Sequence, residues 1–308
     1  MIFIVNPTAA RGCGEREWAS VRRELAARGP SFAERRTTRG GEATALAREA
    51  LRAGEQALIA VGGDGTLNEV VNGYFDETGG AINPRAAIGL IPCGTGSDFR
   101  RTLGLNDRRT ALQAIRGGRT ASLDVMRVTL RDRDARPVQR HAINIVSFGL
   151  GGDSVALVDK WRGTWPRWIG GHPRFVLAAL HGLFRYRNRR VELRLDETRE
   201  LIIRSNFFLA ANGRYAGGGM MLAPHARPDD GLLDVILTDD VGRGDILREL
   251  PRIRRGAHLA HPRVSEHKVA CVSIDGDDPL AVDIDGEAAG FTPAVIAIHP
   301  AAIRFFVP

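Results

Sequence analysis

Residues 57–72 read ALIAVGGDGTLNEVVN, an apolar run that breaks at a glycine turn and continues with helical spacing. The run Ala57–Val61 predicts a buried strand, and Leu67–Phe75 predicts a helix. The glycines between them permit a sharp turn and a close approach of the backbone to a ligand, because no Cβ intervenes. A helix that begins at this turn offers free N–H groups to an anion. The stretch therefore predicts an α/β unit with a phosphate site at a strand end.

The same alternation of strand and helix extends on both sides of this stretch. Further strands are predicted at Ile2–Val5 and Ala86–Ile91, and further helices at Glu15–Arg28, Glu42–Ala53 and Arg108–Arg116. Strands that alternate with helices favour a parallel sheet covered on both faces. Ligands of such sheets bind beyond the carboxyl ends of the strands, where this sequence concentrates its glycines.

The pattern changes at about Leu123, where strand-like runs follow one another with Gly, Asp and Pro turns between them. These runs predict a second domain that is a mainly antiparallel β-sandwich. We place the boundary near Ser122, so that residues 1–122 form the α/β domain and residues 123–298 the β-rich domain. The last strand, at about residues 299–308, can return to the first domain.

The overall charge is strongly positive. The chain has 308 residues, a formal net charge of +7 and a pI of about 10.1, carried almost wholly by arginine, since Lys160 and Lys268 are the only lysines. Such a balance favours anionic partners, whether nucleotides, acidic lipid headgroups or nucleic acid. It does not choose among them.

Cysteine usage and hydropathy predict a cytoplasmic protein. Cys13, Cys93 and Cys271 are an odd number without paired spacing, which indicates neither a disulfide framework nor a zinc site. No apolar run reaches the roughly 18 residues that a membrane-spanning helix needs. We therefore expect a soluble chain that does not cross a membrane.

Two other turns resemble the first in chemistry and position. Gly94–Asp98 follows a predicted strand directly, and Asn6–Gly12 follows the first strand. Asn6 can bond a base or ribose, and Arg11 can meet a phosphate. Since the carboxyl ends of neighbouring strands face one crevice, these turns together predict one nucleotide site. Neither a P-loop nor a G-x-G-x-x-G turn after a strand is present.

Residues 64–69 carry two further signals. Thr66 and Glu69 have the spacing of a capping box, which predicts where the helix begins. Asp64 is unusual, because a carboxylate beside a phosphate is repulsive unless a metal or a substrate proton offsets it. A metal held at Asp64 would bridge the phosphates.

Seven stretches together resemble the diacylglycerol kinase catalytic-domain family, which includes bacterial lipid kinases and sphingosine kinases. They run in order along nearly the whole chain: Asn6-Pro7 with Gly12, Gly62–Asn72, Ile91–Asp98, Asn144–Gly151, Gly213–Pro224, Asp229–Asp234 and Asp285–Glu287. The GGDGT core is shared with NAD kinases and, loosely, with phosphofructokinases. The NEVVNG extension and the later DGLLD and DGE blocks are much more specific to the lipid kinases.

The resemblance implies two domains with ATP in the cleft between them and a lipid hydroxyl as the phosphoryl acceptor. By position, the resemblance implies that the nucleotide is bound by Thr37, Gly62, Gly63, Asp64, Gly65, Thr66, Leu67, Asn68 and Thr95. The turn after the first strand adds Asn6, Pro7, Arg11 and Gly12 to the predicted nucleotide-binding residues. The Asp229–Asp234 turn resembles the family's structural magnesium loop, with the Asp230 side chain and the carbonyls of Arg227 and Leu232 as ligands. The family often has Asn where Ser97 stands here.

Phosphoryl transfer needs alignment, charge neutralisation and a group that takes the hydroxyl proton. Asp285 and Glu287 offer two carboxylates at one turn, and the resemblance implies that Glu287 is the proton acceptor. Asp285 can instead hold that role while Glu287 orients it. The predicted catalytic residues are therefore Glu287, Asp285 and Asp64, with ATP and Mg²⁺ as cofactors.

Residues 160–190 interleave Trp161, Trp165 and Trp168 with arginines and continue into an apolar stretch. Aromatic rings and arginines both suit the headgroup level of a bilayer, which predicts a lipid pocket and peripheral membrane contact. Packing of the tryptophans in the core explains the same pattern equally well. Exposed β edges make a homodimer plausible.

Two other classes of function stay open. A kinase of a soluble acceptor such as NAD shares GGDGT but does not account for DGLLD or the Trp-rich segment. A non-catalytic nucleotide-binding module fits the high pI but gives no reason for Asp64 and Glu287. We expect no nucleic-acid partner. The acceptor itself is open among diacylglycerol, a monoacylglycerol, phosphatidylglycerol and a sphingoid base.

Overall fold

The computed structural model describes residues 1–28, 31–93, 97–161, 177–178, 181–183, 187–205 and 207–308. These residues form two compact units. Unit 1 contains residues 1–125 and 300–308, and unit 2 contains residues 126–299.

Unit 1 is an α/β unit with a parallel sheet. Its strands are β1 (Ile2–Val5), β2 (Ala33–Arg36), β3 (Ala57–Gly62) and β4 (Ala87–Pro92), and its helices are α1 (Ala9–Arg28), α2 (Glu42–Arg52), α3 (Asp64–Tyr74), α4 (Phe99–Thr102) and α5 (Arg108–Gly117). The strands lie in the order β4, β3, β1, β2, and all of these pairs are parallel. The C-terminal end of a long strand adds to β4 in parallel, through Arg304 opposite Ala87 and Phe305 opposite Ile88.

Burial explains why most of these strands were predictable. Every residue of β1, β3 and β4 is buried, so both faces of the sheet are covered, as in other parallel sheets. Strand β2 reads AERR, lies at the sheet edge and has no buried residue. It carries no apolar signal, which is why the sequence did not predict it.

The predicted capping box at Thr66 and Glu69 is wrong. Helix α3 begins earlier, at Asp64 after the N-cap residue Gly63. Its Glu69 carboxylate instead accepts N–H groups of Gly41 and Ala43, both at 2.9 Å, and so satisfies free donors at the start of α2. The spacing of Thr66 and Glu69 fits a capping box of α3, but the Glu69 carboxylate caps the neighbouring helix α2 instead.

Unit 2 is mainly antiparallel, which confirms the predicted fold class. Its strands are β5 (Thr120–Arg131), β6 (Pro137–Ala142), β7 (Ile145–Gly149), β8 (Arg189–Leu195), β9 (Arg199–Ser205), β10 (Phe207–Ala211), β11 (Tyr215–Ala216), β12 (Met220–Met221), β13 (Leu233–Thr238), β14 (Val264–Val269), β15 (Cys271–Gly276), β16 (Ala281–Ile284) and β17 (Glu287–Phe306). Its helices include α6 (Leu150–Trp161) and α7 (Arg243–Ile253). Strand β5 begins in unit 1 and β17 ends there, so the predicted boundary at Ser122 falls inside a strand.

The strand order of unit 2 brings distant segments together. One path runs β14, β13, β10, β7, β16, β17, while β15 joins β17 to the β8–β9 hairpin and β5 joins β17 to β6. Their inward side chains share one core, in which the rings of Phe148 and Phe208 stack at 4.7 Å between centroids. Within the described ranges, no helix has both the length and the apolar character needed to span a bilayer.

Candidate active site

The carboxyl ends of the four parallel strands of unit 1 are aligned by backbone hydrogen bonds. The residues that follow β1, β2 and β4 each donate an N–H to a carbonyl of the neighbouring strand: Asn6 to Val61 at 3.0 Å, Thr37 to Val5 at 2.9 Å and Cys93 to Gly62 at 2.8 Å. Three of the sequence-predicted segments, at Asn6, at Thr37 and at Gly62–Thr66, therefore lie along one edge of the sheet.

The glycine turn itself is shaped by contacts that only glycine allows. A Cβ on Gly62 would lie 2.3 Å from the Thr66 hydroxyl oxygen and 2.6 Å from its Cβ. That hydroxyl accepts a hydrogen bond from the Asn6 side-chain amide at 3.1 Å, which ties the end of β1 to the first turn of α3. Among the described residues, the nearest atom to a Cβ on Gly63 would be the Ser97 hydroxyl oxygen at 3.8 Å. Within that part of the chain, the turn is packed on the Gly62 side and open at Gly63.

The position of Asp64 explains a carboxylate in this turn. Its two oxygens accept the backbone N–H groups of Asp98 at 2.6 Å and Phe99 at 3.2 Å. These donors lie at the start of α4, directly after the second glycine turn. Asp64 therefore joins the first glycine turn to the segment that follows the second.

The other predicted nucleotide-binding residues differ in what they offer. Leu67 is fully buried and its N–H bonds the Gly63 carbonyl at 3.1 Å, so its role is packing and it does not fit a nucleotide contact. Pro7 lies just before α1, Gly12 is in the first turn of that helix, and Asn68 is buried in α3. Two of the predicted groups, the Arg11 side chain and Thr95, lie outside the described residues.

In unit 2, Asp285 and Gly286 form a tight turn between β16 and β17. Both residues have positive φ angles, +50° and +89°, and Ile284 pairs with Glu287 across the turn. This geometry is that of a type I′ hairpin, for which Asp-Gly is a preferred sequence. Glu287 is exposed at the first position of β17.

Three backbone donors bind the Asp285 carboxylate. One oxygen accepts the N–H groups of Asn144 at 3.0 Å and Ile145 at 2.9 Å, and the other accepts that of Ile143 at 2.9 Å. Asp285 is 8% exposed. A buried carboxylate with three N–H donors holds its surroundings in place and has little capacity to accept a substrate proton.

A further carboxylate, that of Asp283, lies two residues before Asp285 and was not predicted from the sequence. It is buried in β16, and the Ser147 hydroxyl donates to it at 2.9 Å. Burial raises the pKa of Asp283 to about 7, and the charges of Asp285 and Glu287 act in the same direction. Alternation along β16 puts Asp283 on the same face as Asp285, which was the available signal.

This raised pKa makes stability depend on pH. The folded protein keeps a proton on Asp283 that the unfolded chain releases above its ordinary pKa, so stability is highest in acid and falls as pH rises toward 7. We expect Asp283→Asn, which stays neutral, to remove this loss, worth up to ~4 kcal/mol over the whole window. Urea unfolding between pH 4 and pH 8 measures it, with Asp278→Asn, an exposed neighbour, as the control. Parallel profiles for Asp283→Asn and the unmodified protein would contradict the assignment.

A lysine of strand β14 lies against the predicted magnesium loop. The Lys268 ammonium lies 2.8 Å from one Asp230 oxygen and 3.7 Å from an oxygen of Asp234. The other Asp230 oxygen accepts the N–H of Leu232 at 3.2 Å. Lys268 was not predicted as a site residue, although a lone lysine in an arginine-rich region was a signal. No group of three His, Cys, Asp or Glu residues in the described part of the chain has the arrangement of a metal site.

Most of the predicted membrane segment, residues 160–190, lies outside the described residues. Residues 162–176 lie outside the described residues, as do the side chains at 158–161. The same holds for residues 94–96 of the second glycine turn.

Comparison with known proteins identifies the class. Residues 1–128 match the family described as "Diacylglycerol kinase catalytic domain", and residues 144–307 match "YegS C-terminal NAD kinase beta sandwich-like domain". The chain is similar to a diacylglycerol kinase of Mycobacterium tuberculosis (29% identity, covering 99% of this chain and 94% of the relative). It is also similar to one of Staphylococcus aureus (29% identity, 99% and 91%).

The fold agrees with these relatives. A crystal structure of a diacylglycerol kinase from Bacillus anthracis matches with a TM-score of 0.71 at 21% identity, covering 100% of this chain and 96% of that one. The match to the catalytic-domain family and the diacylglycerol kinase relatives define the class as an ATP-dependent kinase with an alcohol acceptor. The chain belongs to the diacylglycerol kinase family and is a lipid kinase.

Proposed function

We propose that this kinase transfers the γ-phosphate of ATP to the free hydroxyl of diacylglycerol, with Glu287 as the group that accepts the hydroxyl proton. The arrangement at the acidic hairpin carries the proposal. Asp285 is occupied by three backbone N–H donors, whereas Glu287, two residues later, is exposed. Of the two alternatives that the sequence left open, the geometry therefore favours Glu287 as the base and Asp285 as the residue that positions it.

ATP fits the edge of unit 1 where the glycine turn lies. The start of α3 has free N–H groups and a positive dipole end, which suit a phosphate. The open side of Gly63 leaves space for a phosphate to approach, and the buried Ser97 hydroxyl beside it has no hydrogen-bond partner among the described residues. Asn6 and Thr37 lie along the same edge, where they can meet the sugar or base.

Asp64 serves this site first as a positioning residue, because it holds the start of α4 against the glycine turn. Carboxylate oxygens are hard donors of the kind that Mg²⁺ prefers. We propose that it also helps to hold the Mg²⁺ that accompanies ATP. The ion would supply neutralisation of the phosphate charge.

The acceptor resides in a bilayer, so we propose that the enzyme works at a membrane surface. A formal net charge of +7 favours contact with anionic lipids. This contact needs no spanning helix.

A thin-layer assay with labelled ATP tests the acceptor. Diacylglycerol, a monoacylglycerol, phosphatidylglycerol, a sphingoid base and NAD are presented separately, the lipids in mixed vesicles with and without anionic lipid. We expect diacylglycerol to give the highest kcat/KM and anionic vesicles to increase the rate. A higher kcat/KM for another lipid would make that lipid the assigned acceptor in place of diacylglycerol. Transfer to NAD alone would overturn the proposal.

A further inference from the structure

At the loop of residues 227–234, where the family resemblance implies a magnesium ion, the structure has Lys268 of the adjacent strand β14. We propose that the Lys268 ammonium is the cation of this loop, so that the loop folds without a divalent ion. The proposal concerns the structure of unit 2 and does not depend on which lipid the enzyme phosphorylates.

The Asp230 carboxylate, the only side-chain ligand that the resemblance implies, is already engaged at both oxygens. One accepts the Lys268 ammonium at 2.8 Å, and the other accepts the N–H of Leu232 at 3.2 Å. A Mg²⁺ ion requires close oxygen ligands in a near-octahedral shell and gives up its water reluctantly. To bind Asp230 it would have to displace the ammonium or lie beside it, against the repulsion of like charges.

The sheet register places this lysine. In the antiparallel ladder of β13 and β14, Lys268 is directly opposite Asp234, and such cross-strand partners project from the same face. Lys268 can therefore approach both Asp234 and Asp230, which precedes β13 in the loop. The position follows from strand pairing and does not require an ion to assemble the loop.

Asp234 gives a reason for a fixed positive charge here. It is fully buried, neither of its oxygens has a hydrogen-bond partner within the described ranges, and the Lys268 ammonium is 3.7 Å away. The other charged groups close to the loop are Arg227, whose guanidinium pairs with Asp229 at 3.2 Å, and His225 and Glu266, which contact each other at 2.7 Å. Without Lys268, the buried Asp234 would have no ion-pair partner among the described residues.

A lysine suits this position better than an arginine. Its ammonium is a compact point charge with three donors, whereas the guanidinium is a planar fork that pairs best with one carboxylate. The chain has 43 lysine and arginine residues, and only Lys160 and Lys268 are lysine. Replacement of lysine by arginine would therefore matter at this position, where one cation lies close to two carboxylates.

The test compares metal content and thermal stability without nucleotide. For the unmodified protein we expect less than one metal ion per chain by elemental mass spectrometry after gel filtration. We also expect the same Tm in excess EDTA and in millimolar Mg²⁺. Lys268→Met keeps most of the stem and removes the charge. We expect it to lower Tm by about 3 °C or more and to make Tm rise with added Mg²⁺ in a saturable manner.

Controls separate this loop from other effects. Arg255→Met removes an exposed cation elsewhere in unit 2 and is expected to change neither Tm nor its response to Mg²⁺. If Lys268→Met fails to fold, the unmodified protein still decides the matter. One tightly bound Mg²⁺ or Mn²⁺ per chain that is lost in Asp230→Asn, or a Tm that falls in EDTA, would overturn the proposal.

Discussion

Replacing Glu287 by glutamine is expected to lower kcat by about 10²- to 10⁴-fold, the range that a general base contributes. Glutamine keeps the size of the side chain but cannot take the hydroxyl proton. The affinity for ATP should be unchanged, because the proposed nucleotide contacts lie in unit 1. A continuous assay with a diacylglycerol vesicle gives kcat, and calorimetry gives the dissociation constant of ATP.

A matched control for this variant is Glu197→Gln. Glu197 is exposed and lies in another tight turn with a positive φ angle, between β8 and β9, so it tests the same substitution away from the site. We expect it to retain full turnover. Near-normal turnover in Glu287→Gln would remove Glu287 from the mechanism and return the base role to another group.

Replacing Asp285 by alanine is expected to reduce stability and turnover together. The three N–H groups of Ile143, Asn144 and Ile145 would lose their acceptor in a buried region. Each buried donor left without a partner costs about 1–3 kcal/mol, so a total of several kcal/mol is expected. Urea unfolding of the variant should show a clearly lower midpoint, unlike Glu287→Gln, which should unfold as the unmodified protein does.

The control for Asp285→Ala is Asp278→Ala, in the exposed segment that precedes β16. We expect that change to leave the unfolding midpoint within error. An unchanged midpoint in Asp285→Ala, together with lost turnover, would contradict the positioning role and would favour Asp285 itself as the base.

Much of the α/β unit was predictable because its elements carry local periodic signals. Strand β1 was predicted at its observed bounds, and α2 and α5 to within one residue. Helix α1 begins six residues before its prediction, at Ala9, since its first turn is rich in small residues and lacks an apolar stripe. The charged strand β2 depends on its neighbour β1, and no local pattern reports such pairing.

The site was predictable only as far as its chemistry is local. Glycine turns and the Asp-Gly-Glu block can be recognised within a few residues. The donors to Asp285 are about 140 positions away in sequence, and the partner of Asp230 lies on another strand. Such contacts depend on sheet order and register. The homodimer and the membrane role of the Trp-rich segment stay predictions.

The twenty-residue strand β17 has a consequence for biosynthesis. Residues 300–306 complete the parallel sheet beside β4, yet the ribosome makes them after all of residues 126–299. β4 ends at Pro92, so residues 93–299 are made in the interval, and at roughly 5–20 residues per second β4 keeps an unpaired edge for about 10–40 s during translation. An open edge of that kind is a template for wrong pairing, so the nascent chain has a period in which chaperone protection matters most.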